Sequence, residues 1–466
     1  MSSNDKMVFS YRSYPDDNQR DLENVVSYNF ESDFYTNADA FTVVVEDVDA
    51  SQLLLKLGLG SKMIITLNNH PQMVGYVDDI GVSKKRGSGT KVVITGRDLL
   101  GQAAQGHVLP NMGTNDATNF HFSESDTFET AFKRIFNNFQ PKTQIQFSKN
   151  DDRFSLQLKT GGLVGVRKKL QRGSVENKEK YSKQTRSFSD TLKHILQPNP
   201  GDTFLVYANK LAKCLGCNIK TTLDQNLNEI INIGPPCYDR TIASAYNVFH
   251  TNDPKLSKQN TIIDAKLKFS IKDQYTAVIG QLTGGIAGYK KVSNKVIGIN
   301  EITGLIGEYE DQNGNRKILP NLDIVLKELT TNKGYSTLEN NEGLLAVLDN
   351  LPVTIDAAYS RPLWHESYSA HESQELSMEV REMLEMQQSK FFDCEYLLKG
   401  HTYGDNNLVW VPNQMCKVYD SILSPAGNPL NTNLWIEKVN LTRTREDGPM
   451  TNIKLNLPYL SIADVS

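Results

Sequence analysis

From Phe41 the chain alternates apolar and polar positions in short runs: FTVVVEDV, SKMIITL, MVGYVDDIGVS and TKVVITG. Each run is rich in β-branched residues and bounded by Asn, Gly, Asp or Ser, the pattern of half-buried strands. The charged Gly-Ser stretch from Lys84 to Thr90 reads as the turn of an antiparallel hairpin. A short helical run from Arg97 (RDLLGQAAQ) closes this texture. Residues 31–105 are therefore expected to form a small β-barrel, with residues 1–30 as a polar N-terminal arm.

Over residues 106–240 the pattern is mixed α/β. Phe128, Phe132, Ile135, Phe136 and Phe139 recur at helical spacing, as do Phe204, Ala208, Leu211, Ala212 and Leu215. Two further helical patches, Pro320–Leu329 and Glu342–Leu351, belong to an expected insertion over 291–355. Ser369 and Glu372 form a capping box. It opens a helix with Leu376, Val380, Met383, Leu384 and Phe391 on its apolar face. Strand texture then returns in CEYLLKG, LVWVP, MCKVYDS, LWIEKVNLTRT and TNIKLNL. Residues 241–290 and 356–466 are expected to form a second barrel with its helix.

The two ends share an order of elements. KMIITL (62–67) is matched by QMCKVY (414–419), and Val77-x-x-Ile80-x-Val82 by Ile436-x-x-Val439-x-Leu441. Each hairpin continues through a basic, Gly-containing turn into a Thr-led strand, at Thr90 and at Thr451. Val82 and Thr90 are 8 positions apart and Leu441 and Thr451 are 10, which makes the second turn two residues longer. The fold class expected is β-rich α+β, with two related tube-type β-barrels and mixed α/β domains between them. Such barrels leave edges that must be paired or covered. Val77, Ile80, Val82, Ile436, Val439 and Leu441 are the candidate barrel and inter-subunit strand residues. Three chains would close six barrels into a ring of some 24 lining strands, and barrels beyond roughly 16 strands leave an aqueous lumen.

GRDLLGQA after the first hairpins, GDTFLVYANKLAKCLGCNI in the middle, and SRPLWHES followed by a helix, LVWVPNQMCKVYD and LWIEKVNLTRTREDG resemble one family. It is the baseplate hub proteins of contractile-tailed bacteriophages, with the Mu-type hub and the P2-like late control D proteins nearest in pattern. The resemblance runs from about residue 40 to 460. It implies a homotrimeric hub joining the sixfold tail tube to the threefold central spike. The tape-measure protein, and then the phage DNA in transit, would pass through its lumen, and other baseplate proteins would surround it. In the related type VI secretion spike proteins the hub region continues into a spike. This chain ends at Ser466, just after the last strand texture, so the spike is expected to be a separate chain of a phage tail or tailocin.

Composition is compatible with that reading. Of the 466 residues, 39% are apolar, and 50 Lys+Arg against 54 Asp+Glu give a net charge of −4. That balance is wrong for a protein whose main task is coating DNA or an anionic membrane. No apolar run is long enough to span a bilayer, and the polar first residues carry no secretory signal. The expected location is the virion tail baseplate, assembled in the bacterial cytoplasm.

Candidate chemistry is sparse. Cys214-Leu-Gly-Cys217 has the spacing of a redox dithiol or half a zinc site. It sits at the end of a helical run, with Gly216 placed as a cap, and Cys237, Cys394 and Cys416 offer no second half. His365-Glu366 and His371-Glu372 miss the H-E-x-x-H spacing of a metalloprotease. The glycine-rich runs KLGLGSK, KTGGLVGV and QLTGGIAGY lack the Lys-hydroxyl ending of a phosphate loop. No catalytic, metal or cofactor residue is assigned, and no enzyme activity is expected. Between Arg167 and Arg186 eight basic residues face Glu176 and Glu179. Arg167, Lys168, Lys169 and Arg172 are the candidates there for a polar partner or a nucleic-acid phosphate contact. The competing readings are a cell-wall hydrolase or other tail-associated enzyme on a β-rich scaffold, with only geometry to select an acid pair, and a multidomain adhesin or ligand-binding protein.

Overall fold

The computed structural model describes residues 5–12, 18–46, 50–84, 89–108, 126–141, 143–148, 152–155, 198, 201–215, 217–224, 226–235, 244–256, 262–269, 275, 277–282, 295–299, 307–310, 316–319, 337–338, 362–367, 380, 383, 392–404, 407–423 and 430–456. The fold is β-rich α+β, built on large antiparallel sheets. The chain divides into two compact units. The first holds Met1–Leu158, His194–Leu267 and Cys394–Pro458, and the second holds Lys159–Lys193, Lys268–Asp393 and Tyr459–Ser466.

In chain order, the first stretch supplies β1 (Met7–Arg12), β2 (Arg20–Asp21), β3 (Val25–Asp33) and β4 (Ala40–Glu46). It continues with α1 (Ala50–Lys56), β5 (Lys62–Leu67), β6 (His70–Lys84), β7 (Thr90–Arg97) and α2 (Leu99–Ala103). The middle stretch adds α3 (Phe128–Phe139), β8 (Gln144–Phe147), α4 (Phe204–Cys214), β9 (Asn218–Leu223) and β10 (Glu229–Gly234). There α3 begins at the Thr127 cap and buries Phe128, Phe132, Ile135 and Phe136. Phe139 meets Phe204 of α4 at 5.4 Å, and β8, β10 and β9 form a separate three-stranded sheet. Cys214 ends α4, and the Cys217 thiol is buried against the Leu215 carbonyl.

Next come β11 (Tyr246–His250) and β12 (Ile262–Phe269). The second unit contributes β13 (Ala277–Leu282), β14 (Lys295–Ile299), β15 (Gly307–Glu310), β16 (Arg316–Leu319), β17 (Thr337–Leu338) and β18 (Pro362–Ser367). The chain closes with β19 (Phe392–Lys399), β20 (Thr402–Tyr403), β21 (Leu408–Val409), β22 (Met415–Asp420), β23 (Leu430–Thr444) and β24 (Gly448–Asn456).

Thirteen strands join in one sheet, ordered β12-β19-β24-β23-β3-β4-β7-β6-β5-β1-β2, with β22 and then β11 branching from β23. This sheet is the same module used twice. The first copy reads β3-β4-β7-β6-β5-β1 and the second β12-β19-β24-β23-β22-β11, and the corresponding strands also follow one another in the same chain order. Ladder registers superpose residue for residue. Tyr76 faces Arg97 as Trp435 faces Asn456, and Ile80 faces Ile94 as Val439 faces Ile453. The long strands β6 and β23 each bulge at the same place, between Val77 and Asp79 and between Ile436 and Lys438. A bulge adds a residue and bends the strand, so its repetition gives both modules the same bend. Fifteen residues separate Glu46 from Lys62, and fifteen separate Lys399 from Met415.

The sheet curls within each copy. Phe9 of β1 and Tyr28 of β3, from opposite ends of the first strand order, meet at 5.3 Å. In the second copy, Asp420 of β22 accepts from Tyr396 of β19 at 2.8 Å and lies 2.9 Å from Nδ1 of His250 in β11. Asp420 is fully buried, and its other oxygen accepts from the backbone N–H groups of Ile422 and Leu423, so no lone carboxylate oxygen is left dry. The copies differ at β1 and β11, since β1 runs antiparallel to β5 and β11 parallel to β22.

Several sequence expectations need correction. Residues 1–30 are not merely an arm: β1 buries Met7, Phe9 and Tyr11 at alternate positions, and it covers the edge of β5. The second turn is not two residues longer. Val82 pairs with Val92 and Leu441 with Thr451, ten residues apart in both hairpins, so Thr451 corresponds to Val92 and not to Thr90. The match of KMIITL to QMCKVY is shifted by one, because Lys62 lies opposite Tyr76 and Met415 opposite Trp435. The segments 241–290 and 356–393 are not wholly part of the second module: β13 and β18 pair with each other, in a four-stranded sheet with β14 and β17. His365 and Glu366 lie on β18, a strand, so they do not share a helical face. Val380 and Met383 are helical. Ser369, Glu372, Leu376, Leu384, Phe391 and the patches 320–329 and 342–351 lie outside the described residues.

Candidate assembly interface

The two modules are joined by one antiparallel ladder, β3 against β23, running from Lys438 opposite Asp33 to Arg443 opposite Tyr28. Three layers of interaction hold it. Trp435 is fully buried with Phe34 edge-on at 5.1 Å and Tyr35 at 5.7 Å, and its indole N–H donates to Asn413 Oδ1. The Lys438 ammonium reaches Glu31 at 2.5 Å and Asp33 at 4.0 Å. At the far end, Tyr28 donates to Nε2 of His401 at 2.8 Å. The Thr451 hydroxyl donates to the Gly400 carbonyl and so accepts from Nδ1–H of His401 at 3.2 Å. Asp5 takes the His401 N–H and the Thr402 hydroxyl, pinning the chain's beginning to the second module.

That hydrogen-bond pattern requires a neutral imidazole. Burial is the main cause that lowers the His401 pKa from 6.5 to about 4, with the Asp5 charge opposing the shift. Once unfolded, the ring titrates near 6.5. The stability it contributes is therefore complete above about pH 6.5 and is lost as pH falls toward 4, a change on the order of 3 kcal/mol. Thermal unfolding from pH 7.5 to 5 should show a steeper loss for the wild type than for His401→Gln. Equal slopes would mean the ring is not held neutral. Asp98, whose pKa burial raises to about 7, acts with the opposite sign but equally in both proteins.

The acids flanking this region serve the fold. Asp98 caps α2 by accepting from the Gly101 N–H. Burial also raises the Asp39 pKa, against the Lys220 ammonium 3.5 Å away and the Ser32 hydroxyl. Beside the bulges, Asp78 pairs with Arg97 at 2.6 Å, and its counterpart Glu437 accepts from Lys454 at 3.1 Å and from Asn456.

Among the free edges of the thirteen-stranded sheet, two occupy the places that β23 and β3 hold at the internal joint. One is β6 beyond its bulge, Asp79–Lys84, which pairs only with β7 because β5 ends opposite Tyr76. The other is β12, the outermost strand of the second module. The sequence candidates divide accordingly. Val77, Ile436, Val439 and Leu441 are buried, Ile80 is half-buried and Val82 is exposed at 46%. Val82 and Leu441 occupy equivalent positions. Leu441 is covered because β3 lies beside it, opposite Phe30. Arg167, Lys168, Lys169 and Arg172 lie outside the described residues. The sequence reading missed Trp435, Phe34, Lys438 and Glu31 as junction residues. The shared aromatic before each bulge (Tyr76, Trp435) and the shared acid within it (Asp78, Glu437) were the available signal.

The architecture, compared with solved structures, has extensive counterparts. The tail protein of Neisseria meningitidis MC58 matches with a TM-score of 0.58 at 12% identity, over 98% of this chain and 99% of its own. The 43 kDa tail protein of prophage MuSo2 from Shewanella oneidensis matches with a TM-score of 0.57 at 12% identity, over 97% and 98%. The chain shares the fold of these two tail proteins. No family model and no curated protein matches the chain. The likeness to the two tail proteins runs through nearly the whole of each chain, so it covers the paired modules and the segments between them alike. Among the described residues no helix of this tail-protein fold is long and apolar enough to cross a membrane.

Proposed function

We propose that this chain is a structural component of a phage tail or tailocin. In this reading it is the baseplate hub, three copies of which close into a ring between a sixfold tail tube and a threefold central spike. The observation that carries the reading is the duplicated module within one continuous sheet. A chain with two equivalent modules gives a trimer six similar positions around its axis, which fits a sixfold partner on one side and a threefold partner on the other. The edges equivalent to the internal joint, β6 beyond its bulge and β12, are where copies would join. The channel so enclosed would pass the tape-measure protein and then the genome, within the virion, after assembly in the host cytoplasm.

The loops between β4 and β5 and between β19 and β22 have the same length and leave from corresponding strand ends. Both expose apolar residues, Leu55 and Leu59 on the first and Leu408 and Val411 on the second. In the ring they would present six apolar tips on one side, suited to the tail tube. The role is mechanical, with no bond made or broken. The buried acids Asp39, Asp98 and Asp420 are engaged in capping, pairing or hydrogen bonding within the fold. Electron microscopy of the assembled particle tests the reading: six modules around one axis are expected, and a monomer or an open chain of copies would refute it.

A further inference from the structure

The junction inside the chain is a template for the one between chains, and the charges on the two are inverted. In the internal junction the long strand carries the base, Lys438, and the edge strand carries the acids, Glu31 and Asp33. The module correspondence places Asp79 of β6 where β23 has Lys438, because both follow the bulge by one position. For the edge strand, the Lys266–Glu395 ion pair puts Lys266 on the face of Glu395. Glu395 corresponds to Thr42, which lies opposite Asn29 in the first module. Taking Lys266 as directly opposite Glu395, Lys266 has the place of Asn29 and Lys268 that of Glu31. Burial agrees in phase: Ala265 and Leu267 are half-buried at the places of Tyr28 and Phe30, and Asp264, Lys266 and Lys268 are exposed.

We propose that β12 of one copy adds antiparallel to Asp79–Lys84 of the next copy in the register of β3 on β23, and that Lys268 diagonally across from Asp79, against Glu31 diagonally across from Lys438, sorts the two junctions. The inference rests on the ring reading. Its physical content is specificity. The two docking edges are otherwise equivalent, so β3 of one chain could be exchanged onto β6 of another. That exchange would set Glu31 and Asp33 against Asp79, and β12 on β23 would set Lys268 against Lys438. Like charges across a ladder are destabilising, so the inverted pairs disfavour both swaps. The register also places Ser83 directly opposite Lys266, as Thr442 lies opposite Asn29.

The test mixes full-length Ser83→Cys with full-length Lys266→Cys under mild oxidation. Cysteines directly opposite in a ladder are close enough to bridge, and a two-chain product is expected. Adding Asp79→Lys to the first protein should cut that product about tenfold, and adding Lys268→Asp to the second should restore it. Asp79 is exposed, so Asp79→Lys should leave the melting temperature unchanged, which separates the effect from misfolding. A product unaffected by Asp79→Lys would overturn the sorting while leaving the ring intact. No product from proteins that still form rings would overturn this junction alone, and no product from proteins that stay monomeric would overturn the ring reading and the junction together.

Discussion

Gly96→Ala should cost about 3 kcal/mol of stability, at the upper end of what overpacking does. A Cβ at Gly96 would lie 2.2 Å from the Tyr76 carbonyl oxygen and 2.5 Å from Cζ of Phe41. The first is a backbone atom within the β6–β7 ladder, so it cannot move aside without breaking pairing. Gly81, in the same hairpin, is the control: its nearest neighbour would be the Val93 carbonyl oxygen at 4.0 Å, and Gly81→Ala should cost less than about 1 kcal/mol. Urea unfolding of the two variants checks the contrast, and equal midpoints would contradict it. The same position in the second module explains why glycine is required only once. Gly96 faces Phe41 across the first ladder, whereas its counterpart Leu455 faces Cys394. A large residue opposite a small one fills the same layer in both copies, with the bulk on opposite strands.

Trp435→Ala should cost about 3–5 kcal/mol, the range for emptying a buried tryptophan site. More informative is where the loss appears. Trp435 belongs to the second module but packs on Phe34 and Tyr35, which lead away from β3 of the first. The Phe34 N–H also donates to the Glu437 carbonyl two residues along. Opening this site therefore loosens the joint as well as the core. Amide exchange should become faster along β3 from Tyr28 to Asp33 than along β4 to β7 in the Trp435→Ala protein. Uniform acceleration through both modules would mean that the joint is not a separate weak point.

How much of this was legible depended on which physical rule set each feature. Strand positions were readable because alternation is local, and the match of Val77, Ile80 and Val82 to Ile436, Val439 and Leu441 holds in the ladders. Its double gap between the first two positions contains the bulge, with Asp78 and Glu437 as the extra residues. Register was less readable. Matching Thr90 to Thr451 paired residues by type, yet hydrogen bonds align Thr451 with Val92, and Thr451 is a threonine because its hydroxyl serves Gly400 and His401. The role of β1 was hidden by intervening polar residues, although Met7, Phe9 and Tyr11 alternate as a strand should. The inverted charges of Lys438 and Asp79 acquire meaning only once β3 and β12 are known to be counterparts, which is a fact of topology.

The most direct test of the central claim is a density map of the assembled particle at a resolution that separates strands. The account predicts six modules around the axis, with the sheet passing without a break through all the joints, β3 beside β23 within chains and β12 beside β6 between them. Modules that touch only through loops, with Asp79–Lys84 left open to solvent, would contradict it.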